Sequence, residues 1–69
     1  MSYEVFQRKV NALIDRANSK ATEIISVVFT TDSGKHIANC SDGTTIIGNE
    51  SGNRVTVRWG SGHQSLATI

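Results

Sequence analysis

Sixty-nine residues, 38% of them apolar and 19% charged, make one soluble globular domain and exclude both a disordered chain and a second folding unit. A single cysteine, Cys40, excludes an internal disulfide, and a net charge of +1 supplies no clustered basic excess of the kind that marks a nucleic-acid footprint. The longest near-apolar run, Ile24 to Phe29, is too short to span a bilayer, and Met1-Ser2-Tyr3-Glu4 does not open a secretory leader, so a cytoplasmic setting is expected.

Residues 1–21 read as one amphipathic helix. Tyr3, Phe6, Val10, Leu13 and Ala17 recur at spacings of three and four, and Ile14 and Ala21 join the same stripe. Ser2 is the expected N-cap, with Glu4 at the positive end of the helix dipole and Lys20 at the negative end. This half carries Arg8, Lys9, Arg16 and Lys20 against Glu4 and Asp15; Lys9, Arg16 and Lys20 fall along one flank.

Residues 22–69 read as an antiparallel meander of five strands: Ile24–Thr31, Lys35–Cys40, Thr44–Gly48, Asn53–Trp59 and His63–Thr68. The expected fold is therefore α+β, a helix packed on a five-stranded sheet that is either open or curled into a small barrel. Three separators, Asp32-Ser33-Gly34, Ser41-Asp42-Gly43 and Glu50-Ser51-Gly52, share one recipe of two polar residues followed by Gly. That recipe fits three-residue hairpin loops, a type I turn closed by Gly in the left-handed region. Loop length fixes register, and register fixes which side chains share a face. Three such loops align Phe29, Ile37, Ile47 and Val55, together with Ile25, Val27, Val57 and Trp59, on the face the helix covers. A two-residue last loop then brings Leu66 onto the same face.

On this register the other face carries Ile24, Ser26, Val28, Ala38, Cys40 and Ile46, then Arg54, Thr56, Arg58, Ser65 and Ala67. A solvated face alternates to polar residues throughout. Strands four and five do so, whereas Ile24, Val28, Ala38 and Ile46 form an apolar patch, which marks an interface or a second buried side. A 69-residue chain buries only about 60% of its extended surface on folding, so a partner or a second copy is a natural supplement to its stability.

Catalytic and metal chemistry finds no foothold. His36 and Cys40, four apart on one strand, lie about 13 Å from each other and form no nucleophile–base pair. Cys40 reads as a small half-buried hydrophobe, and His36 and His63 as solvent-side strand ends. Gly60-Ser61-Gly62-His63 leads into a strand, not into the helix that a nucleophile elbow or a phosphate loop requires. Asp32, Asp42 and Glu50 occupy separate turns, as turn chemistry demands. No metal, cofactor or small-molecule substrate is implied.

Two functions are expected from this pattern. The first is a small non-enzymatic protein-interaction module, a homodimer, inhibitor or adaptor of the kind phages and mobile elements encode, working through Ile24, Val28, Ala38 and Ile46 edged by Arg54 and Arg58. The second follows from the order of the elements, which is similar to that of Sm-like RNA-binding barrels. That resemblance of architecture implies nucleic-acid binding through Arg54, Arg58 and the helix flank Lys9, Arg16 and Lys20.

Overall fold

Ser2 starts the helix as its hydroxyl permits: its backbone is extended, with φ −70° and ψ 164°, and Oγ accepts from the Val5 N–H at 3.2 Å. In the computed structural model, which describes residues 1–69, the helix α1 runs Tyr3–Asn18. It ends short of Ala21 because Asn18 turns its amide to the chain beyond. Its Nδ2 donates to the Ile25 carbonyl at 2.9 Å, and its Oδ1 accepts from the Ile25 N–H at 2.8 Å. The amide thus holds the linker to the helix end.

Five strands follow: β1 Val27–Asp32, β2 Lys35–Cys40, β3 Thr45–Asn49, β4 Arg54–Arg58 and β5 Gln64–Thr68. They pair antiparallel in sequence order, and the sheet is open, with β1 at one edge and β5 at the other. The helix lies on one face, over β1 and β2.

The turns depart from the single recipe in an instructive way. The first hairpin pairs Asp32 with Lys35, leaving Ser33 and Gly34 as a two-residue loop with φ of 51° and 79°. Two successive positive φ values make a type I′ turn, whose twist matches the flanking strands. Phe29 therefore faces Ala38 and not Ile37. The second loop is three residues long, as expected, and pairs Ile37 with Ile47. The third is one residue longer than expected, pairing Ile47 with Thr56 and Gly48 with Val55. The fourth is longer than expected too: Thr56 pairs with Leu66, and the Trp59 N–H donates to the His63 carbonyl at 2.9 Å.

Each change of parity flips a strand, so β2 and β3 turn over, β4 is restored, and β5 turns over again. The helix-side face carries Val27 and Phe29, then His36, Ala38 and Cys40, Ile46 and Gly48, Val55 and Val57, and finally Ser65 and Ala67. Ile37, Ile47 and Leu66, expected beneath the helix, point away from it.

Small residues on β2 and β3 explain how the helix sits so close. Phe6 and Val10 are fully buried against Ala38, Ile46 and Val55. A Cβ added at Gly48 would lie 3.0 Å from Cδ1 and Cε1 of Phe6 and 3.3 Å from Cγ1 of Val55, so glycine is what lets the ring rest on the sheet. Phe6 meets Phe29 edge-on at 6.1 Å between centroids, an arrangement worth about 0.5–1.5 kcal/mol beyond area burial.

His36, expected near solvent, is also buried here, with its ring 5.5 Å from those of both Tyr3 and Phe6. Its Nε2 lies 3.1 Å from the Met1 carbonyl, which can only accept, so Nε2 carries the proton. Nδ1 is left without a partner. The Met1 ammonium in turn donates to the carbonyls of Glu50 and Gly52. The N-terminal segment thus bridges β2 and the β3–β4 loop.

Candidate interaction surface

Cross-strand partners share a face, so the pairing register lays out the open face as rows running across the strands. The central row is Thr30, Ile37, Ile47, Thr56 and Leu66. On one side of it lie Asp32, Lys35, Asn49, Arg54 and Thr68; on the other lie Val28, Asn39, Thr45, Arg58 and Gln64. The central row is thus apolar at Ile37, Ile47 and Leu66 and interrupted on β4 by Thr56, which has Arg54 and Arg58 to either side. Ile37 and Ile47 are half-buried by their neighbours, whereas Leu66 is 71% exposed and Val28 64% exposed. Arg54, Leu66, Ala67 and Thr68 line a shallow depression of about 270 Å³ at the β5 edge of the sheet.

Four of the six residues expected on an interaction patch are free of the core. Val28, Arg54 and Arg58 are on the open face as expected, and Ile24 is exposed in the linker before β1. Ala38 and Ile46 are corrected: they are sealed beneath the helix, because the two-residue Ser33–Gly34 turn flips β2 and carries β3 with it. The apolar residues that occupy the open face in their stead are Ile37, Ile47 and Leu66. Their signal in the sequence is parity with Arg54 and Arg58, which becomes readable once the turn lengths are known.

The five cations of the nucleic-acid reading do not share one surface. Arg54 and Arg58 project from the open face, while Lys9, Arg16 and Lys20 belong to the helical layer on the opposite side of the sheet. Lys9 is further occupied by donating from Nζ to the Ile69 carbonyl at 3.0 Å. Trp59 stands on the helix side of β4 by register, as expected, yet beyond the cover of α1. It is 41% exposed and stacks on His63 at 5.6 Å between centroids with 29° between planes.

Cys40 is half-buried, and its thiol is pushed above the ordinary thiol range, first by desolvation and then by the charge of Asp42. Such a thiol is a poor nucleophile near neutral pH. No group of three or more His, Cys, Asp or Glu side chains converges on a point where a metal ion could sit. No helix is long and apolar enough to cross a membrane.

The chain matches no protein-family model, no curated protein sequence and no solved structure.

Proposed function

We propose that this chain is a non-enzymatic, cytoplasmic protein-interaction module that binds a partner protein through the open face of its sheet. The observation that carries this reading is the row Ile37–Ile47–Thr56–Leu66, apolar but for Thr56, with Arg54 and Arg58 to either side of that threonine, on a face that no second layer covers. An apolar strip edged by guanidinium groups suits a partner presenting an apolar ridge rimmed by carboxylates. Burial of the strip supplies the affinity, and the arginines fix its orientation through charge-assisted, bidentate hydrogen bonds.

The accessible surface supports the same reading. The chain exposes 4626 Å², against about 4,200 Å² expected for a folded monomer of its mass. The excess fits a one-sided sheet whose second side is left for something else to cover. Five strands at about 4.8 Å spacing and five residues at about 3.4 Å rise give a face of roughly 400 Å² in projection.

The test is capture from extract of the native host with three immobilised proteins: wild type, Ile47→Asp, and Arg54→Glu with Arg58→Glu. The reading requires one protein species that wild type retains, that Ile47→Asp loses, and that the charge-reversed variant loses or binds far more weakly. Equal retention by all three overturns it. Retention of nucleic acid that falls steeply with salt and depends on the arginines alone would replace it with the nucleic-acid reading.

A further inference from the structure

We infer that β5 is a self-complementary edge that pairs antiparallel with β5 of a second copy of this chain, joining two five-stranded sheets into one across a two-fold axis. The inference rests on the backbone of the edge and does not depend on the open-face reading.

Hydrogen-bond direction alternates along an antiparallel strand. The Trp59 N–H donates to the His63 carbonyl at 2.9 Å, and the Ile69 N–H donates to the Asn53 carbonyl at 3.0 Å. By the same register, His63, Ser65, Ala67 and Ile69 turn their backbone groups toward β4. Gln64, Leu66 and Thr68 consequently aim their N–H and C=O groups away from the sheet, and all three residues are exposed. The edge so formed is symmetric about Leu66. A second copy laid antiparallel sets Leu66 against Leu66 and Gln64 against Thr68 on both sides, and each pair exchanges two backbone hydrogen bonds.

Side chains agree with this pairing. Natural edges are guarded by Lys, Pro, bulges or inward charges, and Gln64-Ser65-Leu66-Ala67-Thr68 contains no charge and no proline. On the open face the two Leu66 side chains meet at the axis, which covers the most exposed large apolar residue of the sheet. On the helix side only the small residues Ser65 and Ala67 flank the seam. Arg54 stands beside Thr68 and Arg58 beside Gln64, so no like charges are set directly opposite across the axis.

The other edge is unsuited to the same pairing. The helix backbone runs closest to β1 and β2, and a two-fold through β1 would bring two helices together on one face; β5 is the opposite edge, which the helical layer reaches through Lys9 at Ile69, beyond the Gln64–Thr68 segment that would pair. Joined at β5, two chains would present their open faces side by side, which raises avidity for a partner with repeated sites.

Sedimentation equilibrium and amide hydrogen exchange on the intact chain test the inference, with Leu66→Lys and Ile47→Asp as variants. The expected mass at sub-millimolar concentration is twice the 7.5 kDa of one chain. Gln64, Leu66 and Thr68 amides should be protected in concentrated samples and lose protection on dilution, whereas Ser65, Ala67 and Ile69 remain protected in both. Leu66→Lys brings two ammonium groups to the axis and should return the mass to one chain with an unchanged circular dichroism spectrum. Ile47→Asp should leave the mass doubled, which separates the edge from the open face. A single-chain mass throughout overturns the inference. So does a dimer that survives Leu66→Lys while the Gln64, Leu66 and Thr68 amides exchange freely. Should Leu66→Lys fail to fold, the alternating protection in the wild-type chain decides alone.

Discussion

Ile46 and Ile47 are neighbours in sequence and chemically identical, yet the register places them on opposite sides of the sheet, so aspartate at each position is a direct measure of the fold. Ile46 is 7% exposed and packs with Phe6, Val10, Ala38 and Val55. Deleting such an aliphatic side chain costs about 2–5 kcal/mol, and a carboxylate in its place adds an unpaired buried charge worth several more. A domain of this length has roughly 3–10 kcal/mol of stability at about 0.05–0.15 kcal/mol per residue. Ile46→Asp should therefore be unfolded at room temperature. Ile47 is half-exposed among Ile37, Thr56 and the arginine-bearing rows. Its aspartate loses part of one aliphatic burial and some strand preference, together about 1–2 kcal/mol.

Urea titrations followed by far-ultraviolet circular dichroism and Trp59 fluorescence distinguish the two. Ile47→Asp should unfold in one transition with an unchanged slope and a midpoint lower by about 1–2 M, taking a slope near 1 kcal/mol per molar for so small a domain. Ile46→Val, expected to cost about 0.5–1.5 kcal/mol, keeps the buried position measurable. The reasoning fails if Ile47→Asp is the unfolded protein and Ile46→Asp the folded one. The first hairpin would then hold three residues, and Ile37 and Ile47 would belong to the core.

Gly48→Ala forces a methyl to within 3.0 Å of the Phe6 ring and should cost about 1–3 kcal/mol; Phe6→Leu in the same chain should recover part of that loss, which a double-mutant cycle in urea would register as coupling. Ser33 holds φ 51° without being Gly or Asn, so Ser33→Asn should stabilise the type I′ turn by up to about 1 kcal/mol, seen as a rise in Tm; an unchanged or lower Tm counts against the two-residue hairpin. The raised Cys40 pKa leaves less thiolate at neutral pH than an unfolded chain has. Alkylation by iodoacetamide should therefore be slower in the folded protein and climb only at higher pH, and Asp42→Asn should restore the smaller share because desolvation is the larger cause; equal rates in folded and urea-unfolded protein would contradict this.

Helix periodicity and the five-strand meander are legible in the residues because each is a local signal repeated several times, and the Ser2 cap because it stands directly before the periodic run. Parity is a different kind of quantity, since one residue more or less in a loop reverses every side chain that follows. Asp32-Ser33-Gly34 can close a three-residue loop or, with Asp32 in the strand, a two-residue one. The choice rests on Ser33 entering the left-handed region, for which serine carries no strong preference in either direction. The Glu50–Asn53 segment adds a residue in the same manner. These two departures cancel at β4, which is why Arg54 and Arg58 face outward under either register while Ala38 and Ile46 exchange places with Ile37 and Ile47. The last loop, residues 60–62, likewise holds one residue more than expected and turns Leu66 outward. Size is the other point of difference. Ile37 and Ile47 carry more apolar surface than Ala38 and Gly48, but a helix whose Phe6 rests on the sheet needs the smaller pair beneath it.

Strand preference alone accounts for much of the open face. Thr30, Ile37, Thr45, Ile47 and Thr56 are β-branched residues that fit a pleated, half-covered surface whether or not anything docks there. Leu66 does not fall under that account. It is γ-branched, has no particular strand preference, and is 71% exposed in a chain that already shows more surface than its mass requires. A threonine there would serve a solitary sheet as well, without an exposed aliphatic. Leu66 also stands where the apolar row of the open face reaches the unguarded edge, so a partner on the face and a second copy at the edge would each cover it. Leu66→Thr is accordingly the most economical discriminator. A sheet that works alone should gain or hold stability with the substitution at every protein concentration, whereas one that assembles through this corner should lose stability in concentrated samples and nothing in dilute ones.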